Sequence, residues 1–376
     1  MEKIVNAHKE WIDEVWNKIE NKLSVTSELL KDKIPHMAGE DGVYNDNTER
    51  PGNWVNGFWP GLMWLMYLAT KDEKYAKTAE YAEKVMDKAL FRYVSLNHDV
   101  GFMFHLSAGM DYRINNNTES KNRNLVAAAA LASRYNADAK YIRAWNGENA
   151  VGWAIIDCMM NLPLLYWASE EVRDPRFKQM AMHHADTAME HFVRPDGSVY
   201  HVVEFNPNTG EVLGYPDTQG YEPENSSWSR GQAWALYGFV LSYIHTGRQA
   251  YLNTAKRVAH YFISAVCTEG FVPKCDFRSP DEPDCLDTSA GAIAACGMIE
   301  IARIVPEYEK KLYLKAALGI LKAIETDHCD FTLEKESIVQ NAMGRYEKGE
   351  QMALIYGDYF FVEAIFKLKG FDFLPW

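Results

Sequence analysis

Apolar residues at helical spacing recur through nearly every long segment of this chain, and the segments come in pairs. A less polar segment is followed, after a short turn, by a more charged one. Residues 2–22 set Ile4, His8, Trp11, Ile12, Val15, Trp16 and Ile19 on one amphipathic face. Further helices are predicted at 53–67, 73–91, 124–135, 175–192, 229–244, 249–266, 288–304, 308–324 and 351–368, with a short segment at 101–110. Three turns look alike: Thr70-Lys71-Asp72 before Tyr75, Val172-Arg173-Asp174 before Phe177, and Thr246-Gly247-Arg248 before Tyr251. About twelve helices in about six hairpins can form an open solenoid or a closed ring. The Trp-rich apolar helices favour closure, because an inner ring is buried on most sides. The predicted fold is all-α, an (α/α)6 barrel covering 1–376 as one domain. A single small β-hairpin is predicted near 198–215, where Ser198–Phe205 alternates, Asn206–Gly210 turns and Glu211–Tyr215 returns.

One stretch inside this pattern is chemically odd. Gly152–Trp167 is almost wholly apolar, and Asp157 is its single charged residue. An ionised carboxylate among Ile155, Ile156, Cys158, Met159 and Met160 is costly unless paired, and burial favours its neutral form. A carboxyl kept protonated near neutral pH is what a general acid requires. Read as one helix, the stretch puts Trp153, Asp157 and Asn161 on a shared face. A helix N-cap or half of a structural ion pair would equally explain a lone Asp here. Pro163 cannot donate to the Met159 carbonyl, so the helix either kinks there or begins near Asn161.

The formal net charge of -13 and the lack of a basic stripe exclude nucleic acid as the natural partner. The six cysteines match no zinc spacing, and Cys158 and Cys296 read as buried free thiols. Met1–Glu20 has no apolar core of a secretory leader, and no run approaches a membrane span. A soluble cytoplasmic protein, monomer or homodimer, is expected.

The remaining unusual residues collect at the starts of the apolar helices, where free N–H groups and partial positive charge lie. They are Asn53–Trp59, Asp157, Ser226–Trp234 and Asp287–Ala290. Arg230 and Trp234 are four apart, so a guanidinium and an indole share a face at one helix mouth. That pair suits a sugar carboxylate, although Arg230 could instead pair with Glu222 or Glu224. His98-Asp99 could supply the second of the two carboxylates common in glycoside chemistry, or sit in an exposed loop. His201 lies on the predicted strand, where a lone histidine is more often structural. The acidic run Asp276, Asp281, Glu282, Asp284 and Asp287 lacks the spacing and glycine of a calcium loop, so a solvated loop is expected. Phosphate-loop, dinucleotide and Gly-x-Ser-x-Gly patterns are absent.

Three of these motifs, Asn97–Phe102, Ile155–Pro163 and Ser226–Trp234, resemble in order the signatures of unsaturated glucuronyl hydrolases, glycoside hydrolase family 88. The related unsaturated rhamnogalacturonyl hydrolases typically carry Asn-Gly-Trp where this chain has Gln232-Ala233-Trp234, so the glucuronyl family is preferred. The resemblance implies an enzyme that removes a 4,5-unsaturated glucuronic acid from lyase-generated glycosaminoglycan or related oligosaccharides, with no metal or cofactor. It implies that Asp157 donates the proton and that Asp99 is the second essential carboxylate. It assigns substrate contacts to Trp54, His98, Trp145, His201, Gln219, Arg230, Trp234 and Tyr346. The competing readings are a non-catalytic sugar-binding barrel and a sugar epimerase. The epimerase would want a histidine pair at the inner end, whereas His183-His184 falls on a charged outer helix.

Overall fold

A computed structural model describes residues 1–281 and 285–376. The three look-alike turns end their helices in the same way. Lys71, Arg173 and Gly247 take φ of 61°, 57° and 70°, the left-handed conformation that stops a helix and reverses the chain. Asp72 and Asp174 then cap the next helix by accepting the N–H of Lys74 and of Arg176. The third turn uses glycine, which meets no Cβ penalty there, and has no side-chain cap.

These turns build a closed double ring. Helices α1 (Glu2–Ala7) and α2 (Lys9–Leu29) lead the chain. Five hairpins follow among the described residues: α3 (Phe58–Thr70) with α4 (Glu73–Leu90), α5 (Ala108–Asn115) with α6 (Thr118–Ala132), α7 (Leu162–Val172) with α8 (Pro175–His191), α9 (Ser229–Thr246) with α10 (Gln249–Val266), and α11 (Thr288–Ile304) with α12 (Glu307–His328). Helix α13 (Ile355–Lys369) packs against α3, α11 and α2, so the two ends of the chain make the sixth hairpin and close the ring. The odd-numbered helices from α3 onward form the inner ring. In α9 every residue from Ser229 to Ser242 is buried, as is every residue of α11 from Thr288 to Ala302. The outer α4 and α10 bury only a stripe. The inner end of the ring is filled. Trp376 stacks on Phe360 at 5.8 Å and donates its indole N–H to Glu363, beside the buried ion pairs of Lys367 with Glu363 (2.7 Å) and Glu300 (2.9 Å).

Two expectations need correction. Strands are not confined to 198–215. Strands β1 (Pro35–Ala38), β2 (Tyr44–Asp46), β3 (Tyr135–Asn136), β4 (Tyr141–Ile142), β5 (Trp153–Ile155), β6 (Val202–Phe205), β7 (Val212–Gly214), β8 (Ala342–Met343) and β9 (Gln351–Leu354) make small antiparallel sheets. The expected hairpin is β6–β7, extended by β5, and a second sheet runs β2-β1-β9-β8. Most are too short to show a period of two. The stretch 152–167 is also not one helix. It is strand β5, then a 3-10 turn at Ile156–Met160, then α7 with Asn161 as its N-cap, the second of the two readings that Pro163 allows, with Pro163 in the first turn where a missing N–H costs nothing. Trp153 therefore shares no helical face with Asp157.

The turn before α3 presses on the segment after Asp99. A Cβ on Gly57 would collide with the carbonyl oxygens of Phe102 and Met103. Gly57→Ala is expected to lower stability by about 1–3 kcal/mol through overpacking, measured by calorimetric melting. A wild-type melting curve would show that this contact yields freely.

Candidate active site

The inner helices all begin at one end of the ring, and a cavity of about 520 Å³ opens there. Its walls come from segments just before helix starts. Trp54 lies on the turn preceding α3, and Asp99 precedes a π-type turn at Gly101–His105. Asp157 lies on the 3-10 turn before α7, and Arg230 in the first turn of α9. Strand pairing supplies the rest. Hydrogen bonding of β5 to β6 brings His201 beside Asp157, its Nε2 3.7 Å from Oδ2. Pairing of β1 with β9 lines one wall with His36, Met37, Met352 and Leu354.

The two carboxylates face this cavity in surroundings that favour their neutral forms. Burial pushes Asp157 up to about 7, while the Arg230 charge pulls the other way. Its side chain remains 18% exposed, so it is reachable. Asp99 is also raised, first by burial and then by the negative charge of Asp157. Two carboxyls that repel one another titrate as a pair and retain a proton further into the alkaline range. The histidines are the reverse. Burial and then Arg230 lower His201 to about 3, and burial lowers His98, so both rings are neutral near pH 7. His98 Nε2 lies 3.4 Å from Asp99 Oδ1. Asp157 Oδ2, His98 Nδ1, His201 Nδ1 and Trp228 Nε1 have no hydrogen-bond partner in the protein. Buried polar atoms without a protein partner are uncommon, and these four belong to residues that line the cavity.

Arg230 pairs with neither Glu222 nor Glu224. Its Nη1 donates to Asp287 (2.9 Å), Ser289 (3.3 Å) and the Met343 carbonyl (2.7 Å), and its Nη2 to the Gly344 carbonyl (2.8 Å). The guanidinium lies over Trp228 at 4.7 Å and Tyr356 at 5.2 Å, yet still lines the cavity.

Trp54, His98, Asp99, Trp145, Asp157, His201, Gln219 and Arg230 all line the cavity. Trp234 does not. It is fully buried against Phe102 (5.1 Å) and Phe360 (5.4 Å). Four residues of helix advance about 6 Å along the axis, so Trp234 shares the face of Arg230 but lies beneath the cavity floor. Tyr346 is also outside the lining. It packs edge-on to Tyr221 at 5.4 Å, and its N–H donates to the Gln219 carbonyl. His36 and Trp228 line the cavity without having been singled out in the sequence, and Arg345, Glu350 and Tyr356 line it too. Trp228 stood inside a quoted motif, whereas His36 carried no local signal.

The acidic run is divided: Asp281 is exposed as expected of a solvated loop, whereas Asp276 and Asp287 are buried. Asp276 accepts the N–H groups of Tyr221, Ser227 and Arg278, Asp281 pairs with Lys274, and Asp287 holds Arg230. Glu282 and Asp284 lie outside the described residues. No group of three metal-ligating side chains occurs among the described residues. Cys158, Cys267, Cys275, Cys296 and Cys329 are free thiols, Cys158 and Cys296 among the buried ones. No helix among the described residues is long and apolar enough to cross a membrane.

The sequence profile of Glycosyl Hydrolase Family 88 matches residues 26–366. The chain belongs to this family. As a family 88 protein it is a glycoside hydrolase, and its ring of helices is the α/α barrel of its structural neighbours. It is similar to the unsaturated glucuronyl hydrolase of Bacillus sp. strain GL1, with 36% identity over 93% of this chain and 96% of that protein. The unsaturated chondroitin disaccharide hydrolase of Streptococcus pyogenes serotype M1 is 32% identical over 92% of this chain and 88% of that protein. Among solved structures, an aspartate-to-asparagine variant of an unsaturated glucuronyl hydrolase with dGlcA-Glc-Rha-Glc superposes with a TM-score of 0.88. It shares 34% identity and covers 94% of this chain and 96% of that one.

Proposed function

We propose that this family 88 hydrolase removes a 4,5-unsaturated glucuronic acid from the non-reducing end of lyase-generated glycosaminoglycan or related oligosaccharides. The observation that carries the reading is the pair of carboxyls, Asp157 and Asp99, kept towards their neutral forms at one reachable cavity.

The chemistry follows from the substrate. Its C4=C5 bond is conjugated to the ring oxygen and is a vinyl ether. Asp157 gives its proton to C4, and positive charge develops at C5 and the ring oxygen. The carboxylate so formed takes a proton from water as the water oxygen bonds to C5, and Asp157 is restored. The hemiketal then opens by breaking the bond from C5 to the ring oxygen. The hemiacetal left at C1 collapses to an aldehyde and releases the neighbouring sugar. One water is consumed, and no bond at C1 is attacked by an enzyme nucleophile.

Asp99 holds ring hydroxyls and the developing charge. Neutral His98 and His201, with Gln219, are polar contacts that do not compete for the proton. Arg230 supplies positive charge for the substrate carboxylate, and Trp54 and Trp145 offer flat walls to sugar rings. Trp234 and Tyr346 act, on this reading, only through the residues they support. The cavity draws on residues from His36 to Tyr356 of one chain, which supports 1–376 as a single catalytic domain that works as a monomer or within a homodimer. The free cysteines favour a reducing, cytoplasmic setting.

The test is turnover in D2O of an unsaturated glucuronyl disaccharide beside its saturated counterpart. Loss of the ultraviolet band and one deuteron at C4 of the product are expected for the first, and no reaction for the second. Cleavage of the saturated compound would exclude hydration as the mechanism. With Asp157 at about 7, kcat/KM should fall about tenfold per pH unit above that point. Neutral His201, lowered to about 3, should leave the profile flat from pH 5 to 6.

A further inference from the structure

Asn161 does not line the cavity and is completely buried, yet it touches both carboxylate segments. Its Oδ1 accepts the Phe102 N–H at 2.8 Å. A backbone N–H can only donate, so this bond fixes which end of the amide is oxygen. The Nδ2 end therefore points the other way. It donates to the Asp157 carbonyl at 3.2 Å and to Asp99 Oδ1 at 3.5 Å. The Asp99 segment can come this close because of Gly101. A Cβ there would lie 2.7 Å from Asn161 Oδ1 and 2.8 Å from its Cα. The amide is a rigid strut between the segment after Asp99 and the turn that presents Asp157.

We propose that Asn161 is a positioning residue for the hydration reaction, fixing Oδ1 of Asp99 as an acceptor and holding the two carboxyls in register. This rests on the roles proposed for Asp99 and Asp157. With Oδ1 held by a donor that cannot reverse, a proton on Asp99 belongs on Oδ2. The two carboxyls then differ in how they are held although both are buried: Asp99 Oδ1 is tied by a side-chain amide from another segment, whereas the bond that Asp157 receives comes from its own backbone. The charged and titratable groups facing Asp99 are His98, Arg134, Asp157 and Cys158, and those facing Asp157 are His201, Arg230, Tyr356, Cys158 and Asp99. None of them can substitute for an amide donor locked in orientation.

The experiment measures kcat, KM and the pH profile for the unsaturated glucuronyl disaccharide in the full chain carrying Asn161→Leu or Asn161→Asp. Each is compared with wild type and Asp157→Asn. The leucine variant should lose kcat about tenfold or more, because misplaced reacting groups are costly. Its KM should stay within about threefold, since Asn161 makes no cavity contact. The alkaline limb should move to higher pH, because a donor to ionised Asp99 is lost. Asn161→Asp keeps the shape and the acceptor for Phe102 but replaces the donor with a third carboxyl, so its limb should move further. It decides the matter where the leucine variant does not fold. A folded variant with lowered melting temperature but unchanged kcat and limb overturns the inference and leaves Asn161 purely structural. Failure of the functional reading looks different: Asp157→Asn itself would then remain active.

Discussion

Asp157→Asn is expected to lower kcat on the unsaturated disaccharide by about a thousandfold while substrate still binds, since a positioned general acid contributes about 10²–10⁴. The same variant should be more stable than wild type, in a pH-dependent way. Asp157 sits at about 7 in the folded chain against an ordinary 3.8, so the folded state binds the proton more tightly than the unfolded one. Wild-type stability therefore falls as pH rises through this window, and the deficit is complete above about 7. Three pH units correspond to at most about 4 kcal/mol, reduced by the exposure of the carboxyl to the cavity. Asparagine has no charge to bury. The melting midpoint of the variant should rise relative to wild type between pH 4 and 7 and run parallel above. Activity within tenfold of wild type would remove Asp157 from the role of acid. A stability difference independent of pH would show that burial does not hold its proton.

The sequence exposed that carboxyl for a sound reason and with an unsound geometry. An Asp among isoleucines and methionines is buried whatever the backbone does, so its raised pKa was legible. The backbone of 153–160 was not, because an apolar run buried on both sides looks alike as strand, 3-10 turn or helix, whereas Pro163 did offer the helix start near Asn161. The barrel was legible because its hairpins repeat and its turns share residues that stop one helix and cap the next. Trp234 marks a limit of face reasoning, since periodicity gives a side and not a depth. His36 marks another. It reaches the cavity through β1 pairing with β9, across more than three hundred residues, and neither strand is long enough to announce itself. Arg230 stands out in the sequence as unusual, but its partner Asp287 reads there as a helix start at the end of a solvated acidic run, not as half of an ion pair. The two roles coincide, because Asp287 accepts the Ser289 N–H with one oxygen and binds Arg230 with the other.

That pairing makes Arg230→Met the variant with the largest expected loss of stability, about 3–5 kcal/mol, as for breaking one side of a buried ion pair. Arg230 is 4% exposed and Asp287 not at all, so the remaining carboxylate would have no water to turn to. The carbonyls of Met343 and Gly344 lose their donor in the same step, and with them the anchor of the segment that carries Arg345 into the cavity. If the uncompensated charge is the main cost, adding Asp287→Asn should restore more than half of the loss, because asparagine can still cap α11. Denaturant melts of the two single variants and the double variant measure this coupling. A single-variant loss below about 1 kcal/mol would mean that the pair is not buried as described. Activity carries a second signature. Arg230 is the charge that pulls Asp157 downward, so without it the carboxyl should rise beyond about 7. In any Arg230→Met protein that remains folded, kcat/KM should fall while its alkaline limb moves to higher pH. Loss of a substrate-binding charge alone would lower the curve without displacing that limb.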